Sequence, residues 1–205
     1  GIVSFTRAER AYIANNTVTG TTAWQASSFG GSVGEGIELT GPGHVIENNT
    51  VSGFRDGISL REDDLAVDQY SVDILNNTIS QVVDDAIEAD FCAHNCRIIG
   101  NRISNSFVGM SSQPSLGGPN YFIRNQAYNL VHLAFKQYRN SRGDVILHNT
   151  IVKHGDGFGS FTTTTARYAL VLNNLFLGGP AGTFNGFPSG TNRVVDQLTL
   201  DSGTS

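Results

Sequence analysis

Apolar and polar positions recur along the chain at fixed offsets. Asn stands at 16, 49, 77, 101, 125, 149 and 174, in steps of 33, 28, 24, 24, 24 and 25 residues. Three residues before each lies one apolar side chain (Ile13, Ile46, Ile74, Ile98, Phe122, Ile146, Val171), and two residues after lies another (Val18, Val51, Ile79, Ile103, Ala127, Ile151, Phe176). Most repeats carry a third short segment: Gly36-Ile37-Glu38-Leu39, Gly57-Ile58-Ser59-Leu60, Ala86-Ile87-Glu88-Ala89, Gly109-Met110-Ser111 and Gly157-Phe158-Gly159, with a weaker copy at Leu133-Ala134-Phe135. Short apolar segments bounded by Gly, Asn and Asp predict short strands. Strands this short cannot bury a face alone, so repeats of about 24 residues must stack at about 4.8 Å per coil around one shared core. The expected fold is all-β, a solenoid of about seven coils, on the order of 30 Å long.

The repeated Asn has a structural task. It is expected at a tight bend, where Asn and Gly best tolerate the left-handed region, and its amide can bond the coils above and below. His148 is read as a turn residue of this ladder. The glycosylation-like triplets Asn15-Asn16-Thr17, Asn48-Asn49-Thr50 and Asn76-Asn77-Thr78 are read as ladder turns. Stretches such as "HVIENNTVSGFRDGISL", "VDILNNTISQVVDDAIEAD" and "DVILHNTIVKHGDGF" resemble right-handed parallel β-helix repeats of the pectate-lyase-like superfamily. The resemblance covers roughly residues 1–178. Residues 179–205 are expected to form a Gly-rich end or an irregular final coil, with one strand at Val194–Leu200. Gly1-Ile2 reads as the third-segment strand of an earlier coil. The open ends are therefore expected to be covered by further coils of a longer parent chain or by a homo-oligomer.

Composition narrows the function classes. The chain has 205 residues, with Lys+Arg 13, Asp+Glu 18 and a net charge of −5. Only 15% of residues are charged, against about 25% in ordinary domains. That disfavours a helical bundle, and the acidic balance disfavours a general nucleic-acid binder. No apolar run is long enough for a membrane span.

Few charges make any concentration of them informative. Two repeats are over-long. One insertion, between Asn16 and Gly36, carries Trp24 and Phe29, and the other, Arg61 to Tyr70, carries Glu62, Asp63, Asp64 and Asp68. They rise on opposite edges of one sheet and are expected to wall a groove. Alternation on that sheet places Asp56, Asp85 and His132 two residues before the inward column, Glu88 one after it, and Arg61 and Asp90 three after it. Asp84, Lys136 and Arg139 complete the polar cluster. Adjacent carboxylates repel, so one must hold its proton or all must share a cation. The cluster suits Ca²⁺ binding at Asp84, Asp85, Glu88 and Asp90, carboxyl acid–base glycoside hydrolysis, or proton abstraction beside a uronate.

The resemblance implies a secreted or cell-surface carbohydrate-active protein whose partner is a polysaccharide or oligosaccharide. The leading expectation is a lyase acting on an acidic polysaccharide by β-elimination. Lys136, His132 or Arg61 would take the proton, Glu88, Asp90 and Arg139 would hold substrate, and Trp24 would stack on a sugar ring. "RDGISL" and "VDDAIEAD" are similar to the polygalacturonase-like families, which implies Asp56, Asp84 and Asp85 as acid and base carboxylates. The following coil reads "FVGMSS" where those families have Gly-His-Gly. A hydrolase is therefore the alternative, with a uronan epimerase as a further runner-up, and a non-catalytic adhesin- or tailspike-like module is the third reading. In "FCAHNC", Cys92, His94 and Cys96 are too few for zinc, so buried thiols or a short disulfide are expected.

Overall fold

The computed structural model describes residues 1–4, 6–24, 34–61, 68–153 and 167–177, with the backbone of Leu198–Leu200. Each coil has three faces. The pre-ladder sheet stacks Tyr12–Ala14, Val45–Glu47, Asp73–Leu75, Arg97–Ile99, Leu116–Ile123, Arg142–Leu147 and Leu170–Leu172. Its central register is Ile13, Ile46, Ile74, Ile98, Phe122, Ile146, Val171, the column expected from the spacing. The post-ladder sheet aligns Val18, Val51, Ile79, Ile103, Ala127, Ile151 and Phe176. The third sheet aligns Ile2, Ile37, Ile58, Ile87, Met110 and Phe135. All pairings are parallel. Strands Thr78–Glu88 and Arg102–Ser111 run unbroken from the post-ladder sheet into the third sheet.

Five turns have all three strands among the described residues, and the next two have their pre- and post-ladder strands. The expectation of about seven coils is thus refined to about five complete turns with partial ones beside them. Gly157-Phe158-Gly159, Phe29 and residues 62–64 lie outside the described residues. So does most of 179–205, where strand Leu198–Leu200 pairs in parallel with Leu175–Leu177. Among the described residues no helix is long and apolar enough to cross a membrane.

The three inward columns make one continuous core. Volume is balanced coil by coil. Where the post-ladder column narrows to Ala127, the same coil carries Phe122 and Phe135, whose rings meet edge-on at 6.2 Å, a substitution of shape at conserved volume. The corner into the third sheet must be small: a Cβ on Gly57 would sit 2.5 Å from Ala86 O and 2.6 Å from Ile79 Cγ2.

The ladder runs without a break. Each Asn accepts on Oδ1 from the main-chain N–H and the Nδ2 of the Asn one coil earlier, at 2.9 to 3.0 Å, from Asn16–Asn49 through to Asn149–Asn174. The left-handed bend falls one residue earlier than expected, on Asn15, Asn48, Asn76, Gly100, Arg124, His148 and Asn173. The ladder Asn keeps ordinary backbone, which aims its amide along the stack. His148 is therefore the bend residue and Asn149 the ladder residue. In the doubled Asn-Asn triplets the first Asn bends and the second bonds.

Candidate functional site

Glu88 and Asp90 lie on the outer side of the third sheet, where alternation puts them, and Asp56 and Asp85 stand at the corner before it, where the register shifts; yet most of this cluster is buried. Asp56, Asp85 and Asp90 are 0 to 1% exposed and Glu88 is 7% exposed. Long cationic side chains from neighbouring positions close over the short carboxylates. Arg55 Nε donates to Asp56 Oδ2 at 2.7 Å, and its Nη2 donates to Glu35 Oε1 at 2.6 Å. Asp56 Oδ1 accepts the main-chain N–H of Asp85, one coil on, at 2.9 Å. Lys136, two coils further, reaches back to pair with Asp85 Oδ2.

Three carboxylates converge. One oxygen each from Asp56, Asp84 and Asp85 lies within 4.8 Å of the others, and only Asp84 of the three is half-buried rather than buried. The quartet expected to hold Ca²⁺ is divided differently. Glu88 Oε2 accepts from Ser59 Oγ at 2.6 Å. Asp90 Oδ1 accepts from Ser111 Oγ at 2.7 Å and from the Gln113 N–H at 2.6 Å. Asp56 takes their place beside Asp84 and Asp85.

Burial sets the electrostatics. It drives the Asp85 carboxyl well above its ordinary range; Lys136 pulls it back, and Asp84 and Asp56 push it further up. Glu88 is likewise raised by burial and by the charges of Asp90 and Asp56. Burial, then the charge of Asp56, pushes Glu35 up to about 8. For Lys136, burial works to lower the ammonium, but Asp85 and Asp90 outweigh it and the net shift is upward. Among the buried oxygens of the site, Asp85 Oδ1 and Glu35 Oε2 have no hydrogen-bond partner among the described residues. An orphaned buried oxygen is costly, and perturbed acids of this kind cluster at functional sites.

Other expected residues sit around this centre. The weak repeat resolves as Phe135 inward, so Lys136 joins the outer face in line with Ser111. Buried Leu133, rather than His132, occupies the position two residues before the inward column. His132 is exposed and packs on the Phe107 ring at 5.2 Å. Its pKa is lowered by burial and by the charges of Lys153 and Lys136. Arg139 lies over the Phe91 ring at 5.7 Å. Arg61 meets the cluster's edge through its carbonyl, which accepts from Gln69 Nε2 at 3.3 Å. Trp24 is half-buried at the edge of the first insertion, and of the second insertion's acids, Asp68 pairs with Arg7. Cys92 and Cys96 form a disulfide, bracketed by Asn120, which accepts the Cys96 N–H and donates to Cys92 O.

Sequence reasoning passed over two groups. Arg55 was visible only as the residue before an Asp-Gly turn, and its clamp on Glu35 spans two coils. Asp144 is 1% exposed and accepts from Ser112, Ser115, Gln137 and Ser141. Its donors come from two connections, 112–115 and 137–141, with no repeat spacing to reveal them.

The family model of the right-handed β-helix region matches residues 1–185. No curated protein and no solved structure matches the chain. Stacked parallel strands, an unbroken Asn ladder and this match agree, and the chain belongs to the right-handed β-helix family.

Proposed function

We propose that the protein is a carbohydrate-active enzyme that cleaves a polysaccharide by carboxyl acid–base catalysis at Asp56, Asp84 and Asp85. The observation that carries this reading is the approach of three carboxylate oxygens to within 4.8 Å on adjacent coils. Like charges this close raise one another's pKa, and burial with the charges of Asp84 and Asp56 pushes Asp85 upward against the pull of Lys136, so the set is poised to hold a proton. Buried Asp85 is the member raised most clearly by its surroundings, while half-buried Asp84 is the member that reaches the surface. The set then supplies a proton to the leaving oxygen while a remaining carboxylate, at the close spacing of a retaining pair, bonds to the sugar carbon that oxygen leaves, and water later displaces it. The glycan class rests on the resemblance to the pectate-lyase-like superfamily. The disulfide supports an exported protein, since such bonds persist in oxidising compartments.

Elimination asks for a free base. Lys136 is paired to Asp85 and raised above its ordinary pKa, which argues for charge neutralisation rather than proton abstraction. His132 keeps the lyase reading alive as the second one, because partial burial and the charges of Lys153 and Lys136 lower its pKa and favour the neutral imidazole that a base must be. The three oxygens fit part of a Ca²⁺ shell of six to eight ligands. With Arg55 and Lys136 already neutralising them, turnover is expected to survive chelation.

The test is a panel of acidic and neutral polysaccharides assayed for both reducing ends and the ultraviolet absorbance of unsaturated products. Reducing ends without that absorbance, lost about 100-fold or more in Asp84→Asn, support hydrolysis. Absorbance that depends on His132 transfers the site to the lyase reading. No product on any polysaccharide leaves the non-catalytic module.

A further inference from the structure

A second surface, on the post-ladder sheet, is built differently from the carboxylate site. Its outer side holds a cleft of about 580 Å³ lined by Thr78, Arg102, Gln126, Tyr128, Thr150 and Val152, among others. These residues stand in register on four successive coils: Thr78 beside Arg102, Arg102 beside Gln126, Gln126 beside Thr150, and Tyr128 beside Val152. Tyr128 is 57% and Val152 40% exposed, so an aromatic face and an aliphatic side chain lie open beside hydroxyls and an amide. No outward position of this sheet, from Thr17 to Leu177, carries a carboxylate, although the chain has 18 acids to 13 bases. Among the described residues Arg102 makes no ion pair. The surface thus presents one unneutralised cation, one aromatic ring and neutral donors on coils spaced about 4.8 Å apart, close to the advance of one pyranose unit.

We propose that this face binds an acidic polysaccharide, laid along the coil axis with one sugar per coil, as an anchoring surface separate from the carboxylate site. Tyr128 and Val152 pack on the apolar faces of the rings, Arg102 pairs with a uronate carboxylate, and Gln126, Thr78 and Thr150 bond the hydroxyls. Charge complementarity selects the polymer: an anion meets Arg102 and no opposing acid. The inference shares only the glycan class with the proposed function.

The experiment is affinity electrophoresis of the full chain through gels containing polygalacturonate or polymannuronate, with the fully esterified polygalacturonate as the uncharged comparison. Retardation by a uronan is expected, weaker for the ester, with the apparent Kd raised about tenfold in Tyr128→Ala and in Arg102→Gln. Thr150→Asp, which places a carboxylate on the acid-free face, is expected to abolish it. All three positions face solvent, and each variant's unfolding midpoint is measured alongside. No retardation by either uronan, or retardation unchanged in all three variants, overturns the proposal. Turnover of the panel of acidic and neutral polysaccharides is scored separately. Tyr128-dependent retardation without turnover keeps this inference and removes the proposed function, whereas turnover without it does the reverse.

Discussion

Asn77 in the ladder and Asp85 on the third sheet are both fully buried polar side chains stacked between coils, and they are satisfied very differently. Asn77 Nδ2 donates to Asn101 Oδ1 and Ile46 O, each at 3.0 Å, and its Oδ1 accepts from Asn49. Each amide from Asn49 to Asn149 repeats this arrangement with no charge to desolvate. Asp85 gives one oxygen to Lys136 and has no hydrogen-bond partner for the other, and three further acids raise its pKa. The ladder lowers the energy of the fold by completing each coil's hydrogen bonds. The carboxylates do not, because burying several like charges costs more than their partial neutralisation returns. Asp144 sits between these cases as a carboxylate buried among four side-chain donors. Satisfaction, rather than charge or burial alone, separates scaffold from site.

The largest effect should come from breaking the ladder. Asn101→Ala removes the acceptor of two donors on Asn77 and the donor to Ile74 O. About 3–5 kcal/mol should be lost in denaturant unfolding, at about 1–3 kcal/mol per buried group left unpaired. A loss below about 1 kcal/mol would show that the ladder is decoration. Next comes Asp144→Asn, which replaces one acceptor oxygen by a donor facing hydroxyls and an amide. We expect about 2–3 kcal/mol of destabilisation, with turnover per folded molecule unchanged; lost turnover would place Asp144 in the site.

Glu88→Gln should act in the opposite direction. It keeps an acceptor for Ser59 and removes a buried charge, so the variant should be about 1 kcal/mol more stable than the parent at pH 8 and equal to it in mild acid. Equal destabilisation at both pH values would make Glu88 an ordinary structural acid. The smallest effect is a slope. Glu35 folded is raised to about 8 from an ordinary 4.5, so the folded state binds the extra proton. Its contribution is full below the ordinary value and declines as pH rises to about 8. Buried His44, lowered chiefly by burial, works the other way, losing its contribution as pH falls below its ordinary value near 6.5. Urea midpoints in Glu35→Gln should therefore fall less steeply between pH 5 and 8 than in the parent.

How much of this was legible in the sequence follows from the same contrast. The three inward columns and the ladder were readable because stacked coils demand the same residue type at the same place. Doubled Asn-Asn triplets hid which residue bends, and Arg124 and His148 take the left-handed position with no compositional cue. At Leu130–Phe135 apolar residues crowd both parities, so alternation could not tell Ala134 from Phe135 as the inward residue. That the carboxylates gather at one place in successive coils was readable from the repeat register. Its burial was not, because Arg55 and Lys136 arrive from positions that no repeat specifies.

The central claim is that Asp56, Asp84 and Asp85 together retain a proton at neutral pH. Carbon-detected NMR titration of the Asp carboxyls reads this directly. The account predicts one Asp carboxyl carbon still at its protonated shift at pH 7, a signal that disappears in Asp85→Asn. If every Asp carboxyl instead titrates near the ordinary value of about 3.9, the three acids are ionised surface-type groups and the site as described here does not exist.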